Sequence, residues 1–90
     1  MSGRWADSSG SQDVATIAQE GCDIKATHES PGHWSRADGF FFDRWNVRVD
    51  FEYGNGYNDT LTGHLNGCDR HHCPAGSTIA WSSSALWTKR

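Results

Sequence analysis

Thr78-Ile79-Ala80-Trp81, then Ser82-Ser83-Ser84, then Ala85-Leu86-Trp87-Thr88-Lys89 is the stretch that decides the fold. Two short apolar runs, each carrying a tryptophan, flank a turn of small polar residues, and that pattern predicts a β-hairpin. Near the other end Gly3-Arg4-Trp5 leads into a second Ser/Gly turn, Ser8-Ser9-Gly10-Ser11. Segments of this kind at both ends predict that the first and last strands lie side by side. Closure into a barrel would remove the unpaired edges that an open sheet leaves to solvent.

The interior of the chain fits the same scheme. In Val47-Arg48-Val49-Asp50-Phe51-Glu52-Tyr53 the odd-numbered residues are apolar and the even ones charged, the period of a half-buried strand. Cys22 to His28 repeats it with Cys22, Ile24 and Ala26 inward, which makes Cys22 a small core residue. Thr60 to Leu65 repeats it again, with Leu61 and Leu65 inward and Gly63 between them as a weak point, bulge or bend. Phe40-Phe41-Phe42 is strand-like in composition. Glu20-Gly21, Gly54-Asn55-Gly56 and Asn66-Gly67 supply turns. Ser11 to Gly21 admits a helix with Val14, Ile17 and Ala18 on one face, or a strand; its β-branched Val14, Thr16 and Ile17 favour the strand. Longer loops are expected at Glu29–Asp38 and Cys68–Ser77. The expected fold is an all-β, small antiparallel meander, a closed or nearly closed barrel of six to eight strands in one domain over residues 1–90.

A chain of 90 residues buries only roughly 60–65% of its unfolded surface, so its core must be dense. Five Trp, four Phe and two Tyr supply that density. The net charge of −3 argues against a nucleic-acid partner, because phosphate recognition needs a basic face. No apolar run approaches the roughly 20 residues of a membrane helix, and Met1-Ser2-Gly3-Arg4-Trp5 is unlike the apolar stretch of a signal peptide. Nothing in the pattern assigns a compartment or an oligomeric state, although an unclosed sheet would favour homo-oligomers through strand addition.

Gly3-Arg4-Trp5, the following apolar strand and Gly turn, and Ala26-Thr27-His28-Glu29-Ser30 resemble the opening of avidin-type and other lipocalin-like barrels. Leu61-Thr62-Gly63 and the closing Ile79-x-Trp81 … Trp87-Thr88-Lys89 are similar to short β-barrel modules. The resemblance implies the barrel; it places no vitamin-binding residue set on this chain.

Two clusters carry candidate chemistry. Cys68-Asp69-Arg70-His71-His72-Cys73 gathers two thiols and two imidazoles, so Cys68, His71, His72 and Cys73 are candidate zinc ligands. Adjacent histidines and a C-x₄-C spacing suit a tetrahedral site poorly, and a Cys68–Cys73 disulfide or free thiols are the competing readings. In the second cluster Trp34 could stack on a sugar ring or flat apolar surface with His33 and Arg36 as polar partners, or fold down as a lid over the barrel end. Trp45 and Tyr57 face the same choice, whereas Trp5, Trp81 and Trp87 read as core. The carboxylates of Asp50 and Glu52 share one strand face about 7 Å apart, a spacing seen in glycoside hydrolysis but far more often on a solvated surface. Asn58-Asp59-Thr60 is a glycosylation triplet that matters only in a secreted chain.

These residues point first to a non-catalytic module that binds a small apolar or sugar-like ligand through Trp34, Trp45, Tyr57, His33 and Arg36. A structural or accessory subunit docking onto a larger protein assembly is the alternative, and a zinc-stabilised or zinc-dependent module at Cys68–Cys73 a third. A ligand module should show a pocket lined by several of the aromatics; a docking subunit should show a filled interior and an exposed apolar patch.

Overall fold

The computed structural model describes residues 1–8, 13–28 and 34–90, and all of its regular structure is β. Eight strands follow one another: β1 (Gly3–Asp7), β2 (Val14–Glu20), β3 (Asp23–His28), β4 (Trp34–Phe41), β5 (Asn46–Tyr53), β6 (Asn58–Asn66), β7 (Thr78–Trp81) and β8 (Leu86–Lys89). Each pairs antiparallel with its sequence neighbour, and β8 pairs back onto β1 to close a barrel. In that seam Trp5 stands opposite Lys89, Ala6 opposite Thr88 and Asp7 opposite Trp87. Among the described residues no helix is long and apolar enough to cross a membrane.

Alternation fills the interior. Val47, Val49 and Phe51 on β5 are buried while Arg48 and Asp50 between them are exposed. Ile17, Ile24, Ala37, Leu65 and Ile79 join them from the other strands, and Trp5, with no exposed surface, anchors the closing seam. The Trp5 Nε1–H donates to the Met1 carbonyl at 2.9 Å, so its buried polar atom is satisfied. The void left at the centre is about 10 Å³, too small for a ligand. Alternation along the strands therefore builds a packed core with no ligand-sized void at its centre.

The expected hairpin forms, with Ile79 opposite Trp87 and Ala80 opposite Leu86. Trp81 N–H donates to the Ala85 carbonyl at 2.9 Å across the serine turn. Ser84 takes a φ of 76° there, the left-handed position of a three-residue hairpin loop. Gly63 marks no break: β6 pairs regularly through it with Val47 on one side and Trp81 on the other.

Two expectations are corrected, and a third, left open between helix and strand, is resolved as the strand it favoured. Residues 34–38 belong to β4 rather than to a loop over Glu29–Asp38, because Arg36, Ala37 and Asp38 pair on both sides with β3 and β5; residues 29–33 lie outside the description. Cys22 is exposed instead of buried. It holds the inward position of the alternation but lies one residue before β3, at the lip of the barrel, where it borders an open groove beside Arg70. Ser11–Gly21 contains a strand from Val14, as its β-branched residues favour, and residues 9–12 are outside the description.

An aromatic bowl as candidate functional site

The meander puts the β1–β2, β3–β4, β5–β6 and β7–β8 connections at one end, here the serine-turn end, and the other three connections at the disulfide end. At the serine-turn end the inward positions stop being aliphatic and become aromatic. Phe51 and Tyr53 arrive on β5, Trp81 on β7, Trp87 on β8 and Trp34 on β4, and together they line a bowl of about 180 Å³. Leu61, Ser83 and Ala85 complete its walls, and Asp7 and Asp13 stand at its rim.

A bulge brings Trp34 there. Trp34 pairs with Tyr53 and Arg36 with Glu52, so Ser35 is an extra residue on β4. Trp34 and Ala37 consequently share the inner face although they are three apart, and Ser35 Oγ–H ties the bulge down by donating to the Glu52 carbonyl at 3.0 Å. Strict alternation from Ala37 would have faced Trp34 outward.

Most of the ring pairs meet at steep angles. Trp34 and Trp87 lie nearly parallel, 15° between planes and 6.0 Å between centroids. Phe51 stands edge-on to both, at 73° and 81°. Trp81 is edge-on to Trp87 at 68° and 5.0 Å. The His28 ring packs edge-on against Trp34 at 3.9 Å. Edge-to-face contacts set positive ring edges on negative ring faces, which holds each indole at a fixed tilt. The Trp81 Nε1–H is buried without a hydrogen-bond partner among the described residues, an unspent donor that ordinarily costs free energy. Burial first, then the neighbouring Asp59 carboxylate and Tyr57, push the Tyr53 phenol above its ordinary value.

The sequence candidates are divided between the two ends. Trp34 lines the bowl, and Tyr57 stands beside it, 60% exposed, with its ring 5.5 Å from Tyr53. Trp45 is in the β4–β5 turn at the disulfide end, 46% exposed, with the Arg44 guanidinium 5.3 Å from its ring. Arg36 points outward and pairs with Glu52 at 2.6 Å. His33 lies outside the described residues. The bowl thus contains one residue of the expected set with Tyr57 at its edge, and it adds Asp7, Asp13, Phe51, Tyr53, Trp81 and Trp87. Of these, Trp81 and Trp87 read as core, and they are core: each is more than nine-tenths buried and still borders the bowl.

The disulfide end is of a different character. Cys68 and Cys73 are bridged, Cα atoms 4.7 Å apart, so both thiols of the expected zinc set are spent on the bridge. Among the described residues no three His, Cys, Asp or Glu side chains gather as a metal site. Asp69 organises the loop: it accepts from the His71 backbone N–H at 2.8 Å and from Arg44 at 2.9 Å. Those bonds, the His71 N–H foremost, hold its carboxyl below the ordinary carboxylate range. A wide groove of about 620 Å³ lies between this loop and Gln19, Cys22 and Lys89. Its polar groups are largely spent on one another: Gln19 Nε2–H donates to the Arg70 carbonyl at 2.8 Å and Lys89 Nζ–H to the Cys73 carbonyl at 3.0 Å. Asp50 and Glu52 face solvent on the outer sheet, Asp50 bonded to the Thr60 hydroxyl and Glu52 to Arg36. Both carboxylates are committed to partners on the outer face, and the arrangement is a surface rather than a catalytic pair. Asn58 of the glycosylation triplet is exposed at the start of β6.

The chain matches no known family model, no curated protein and no solved structure.

Proposed function

We propose that this protein is a non-catalytic binding module that takes a small ligand in the aromatic bowl at the serine-turn end. The observation behind the reading is the convergence of Trp34, Phe51, Tyr53, Trp81 and Trp87 from four strands on one concave surface with two carboxylates at its rim. Concave, mostly apolar sites with a few convergent polar groups are where small molecules bind. The interior is filled, unlike that of the wide barrels that hold a ligand at the centre, and of the two ends the serine-turn end is the one lined by aromatic rings. The residue set shifts accordingly: Trp34 and Tyr57 stay, and Trp45 and Arg36 belong to other surfaces.

NMR shift mapping tests the proposal, with a fragment set spanning methyl glycosides, flat aromatics and small alkylammonium compounds. Saturable shifts at the Trp34, Trp81 and Trp87 indoles are expected for at least one class. Shifts confined to Trp45 and the Cys68–Cys73 loop, or none, would overturn it.

A second reading, an accessory subunit docking onto a larger protein, draws on one observation. Phe40, Phe42 and Trp45 are exposed together around the β4–β5 turn, more apolar surface than isolated exposed residues explain. Replacing Phe42 and Trp45 by serine should leave fragment binding at the bowl intact if the two surfaces are independent.

A further inference from the structure

We infer that the bowl selects a compact alkylammonium cation, such as a trimethylammonium head, over neutral groups of the same shape. This rests on the bowl being a ligand site and adds the chemistry of its occupant.

The closing seam brings a carboxylate to the bowl. Asp7 pairs directly with Trp87, and residues opposite one another in a sheet share a face. The carboxylate of Asp7 is thereby carried to the same mouth as the Trp87 ring. Asp13 reaches the rim from the next strand, held there by the bond from the Asp7 N–H to the Asp13 carbonyl at 2.7 Å. Both line the bowl. Asp59, opposite Phe51 on β6, adds a third carboxylate close enough to raise Tyr53.

No Lys or Arg lines the bowl among the described residues. Of the barrel's cations, Arg36 is on the outer face with Glu52, Lys25 and Arg48 are exposed, and Arg44, Arg70 and Lys89 are at the disulfide end. Among the described residues the titratable groups lining the bowl are Asp7, Asp13 and Tyr53, with Asp59 opposite Phe51 on β6 and His28 packed against Trp34. Among the described residues that line the bowl, a positive group entering there meets aromatic rings and carboxylates and no Lys or Arg side chain.

Ring faces carry negative potential, and a cation within about 6 Å of a ring centroid is attracted to them, tryptophan most strongly. Four of the five rings are fixed by edge-to-face contacts, so their faces are oriented before a ligand arrives and little ordering is left to oppose binding. A bare ammonium ion would have to shed tightly held water to use such a surface. An alkylated one presents methyl groups that bury against the rings while its charge faces the aspartates. At about 180 Å³ the bowl accommodates one such head. The head could belong to a free small molecule or to a methylated lysine side chain, since the chemistry is shared.

The experiment uses the intact chain and follows indole shifts and tryptophan fluorescence. It compares choline with its neutral isostere 3,3-dimethylbutanol, and capped trimethyl-lysine with capped unmodified lysine. Choline or trimethyl-lysine should bind about tenfold or more tightly than the neutral isostere, and whichever of the two is tighter identifies the source. In Asp13→Asn, and separately in Asp7→Asn, that preference should fall severalfold while binding of 3,3-dimethylbutanol is unchanged. The comparison in the unaltered protein needs no variant to fold. Equal binding of choline and its isostere at the bowl would overturn the cation inference and leave the ligand module standing. Absence of binding by every probe, methyl glycosides included, would overturn both.

Discussion

Gly63 lies beneath the six-membered ring of Trp81: a Cβ built on it would stand 2.8 Å from Trp81 Cζ3. The glycine is a seat rather than a weak point. Its missing side chain lets the largest residue of β7 lie flat across the barrel, and that placement puts Trp81 in contact with Phe51 at 5.4 Å and with Trp87. Gly63→Ala should therefore destabilise the fold by about 1–3 kcal/mol through overpacking, read as a fall in the denaturant midpoint at constant m-value. An unchanged midpoint would show that the indole lies elsewhere.

Ser84 holds a φ of 76° that costs an L side chain and suits glycine. Ser84→Gly should stabilise the hairpin by roughly 0.5 kcal/mol, a rise of a few degrees in Tm for a domain of this size. A lower Tm would mean that the turn has another geometry.

Deleting Ser35 removes the bulge from β4. Strict alternation then turns Trp34 to the outer face, where its ring loses Phe51 and Trp87. Collisional quenching of Trp34, measured with the other tryptophans replaced one at a time by phenylalanine, should become that of an exposed indole. Unaltered quenching would mean that the bulge does not set its direction.

The Cys68–Cys73 bridge closes a short loop, so the chain-entropy model assigns it about 2 kcal/mol. Replacing both cysteines by serine should lower stability by about that amount without affecting fragment binding at the bowl, since the bridge is at the opposite end. Loss of ligand binding would link ends that the barrel separates.

Asp43 and Asp69 have carboxyl pKa values held below the ordinary range, Asp43 first by the Trp45 backbone N–H and Asp69 first by that of His71. A depressed folded-state pKa contributes stability that is present above the ordinary carboxylate value and lost as pH falls through the lower, folded one. Acid titration of stability should therefore lose a component below about pH 4 that Asp43→Asn and Asp69→Asn each diminish. An acid limb identical in both variants would remove these two loops from the account.

The barrel was legible because alternation over Val47–Tyr53 and the paired Trp81 and Trp87 runs obey a simple period, and closure follows from tryptophans near both ends. The site was harder to read for physical reasons. Trp34 faces inward only because of a one-residue bulge, and serine at position 35 gives no strong signal for one. Asp7 and Asp13 adjoin turns, where acidic residues are ordinary; their proximity to Trp87 depends on the β1–β8 register. Trp45 carries the same aromatic signal as Trp34, but the meander sends them to opposite ends. Cys22 obeys the inward period and still meets solvent, because periodicity reports a face and not how far the barrel wall extends.

The bowl exists only if residues distant in sequence form one aromatic surface at one end of a closed sheet. Nuclear Overhauser spectroscopy of the indole protons tests it most directly. Cross-peaks should join the Trp34 ring to Trp87, Phe51 and His28, together with backbone contacts between Trp5 and Lys89 across the seam. A Trp34 ring with no such neighbours, in a sheet whose first and last strands show no contact, would contradict it.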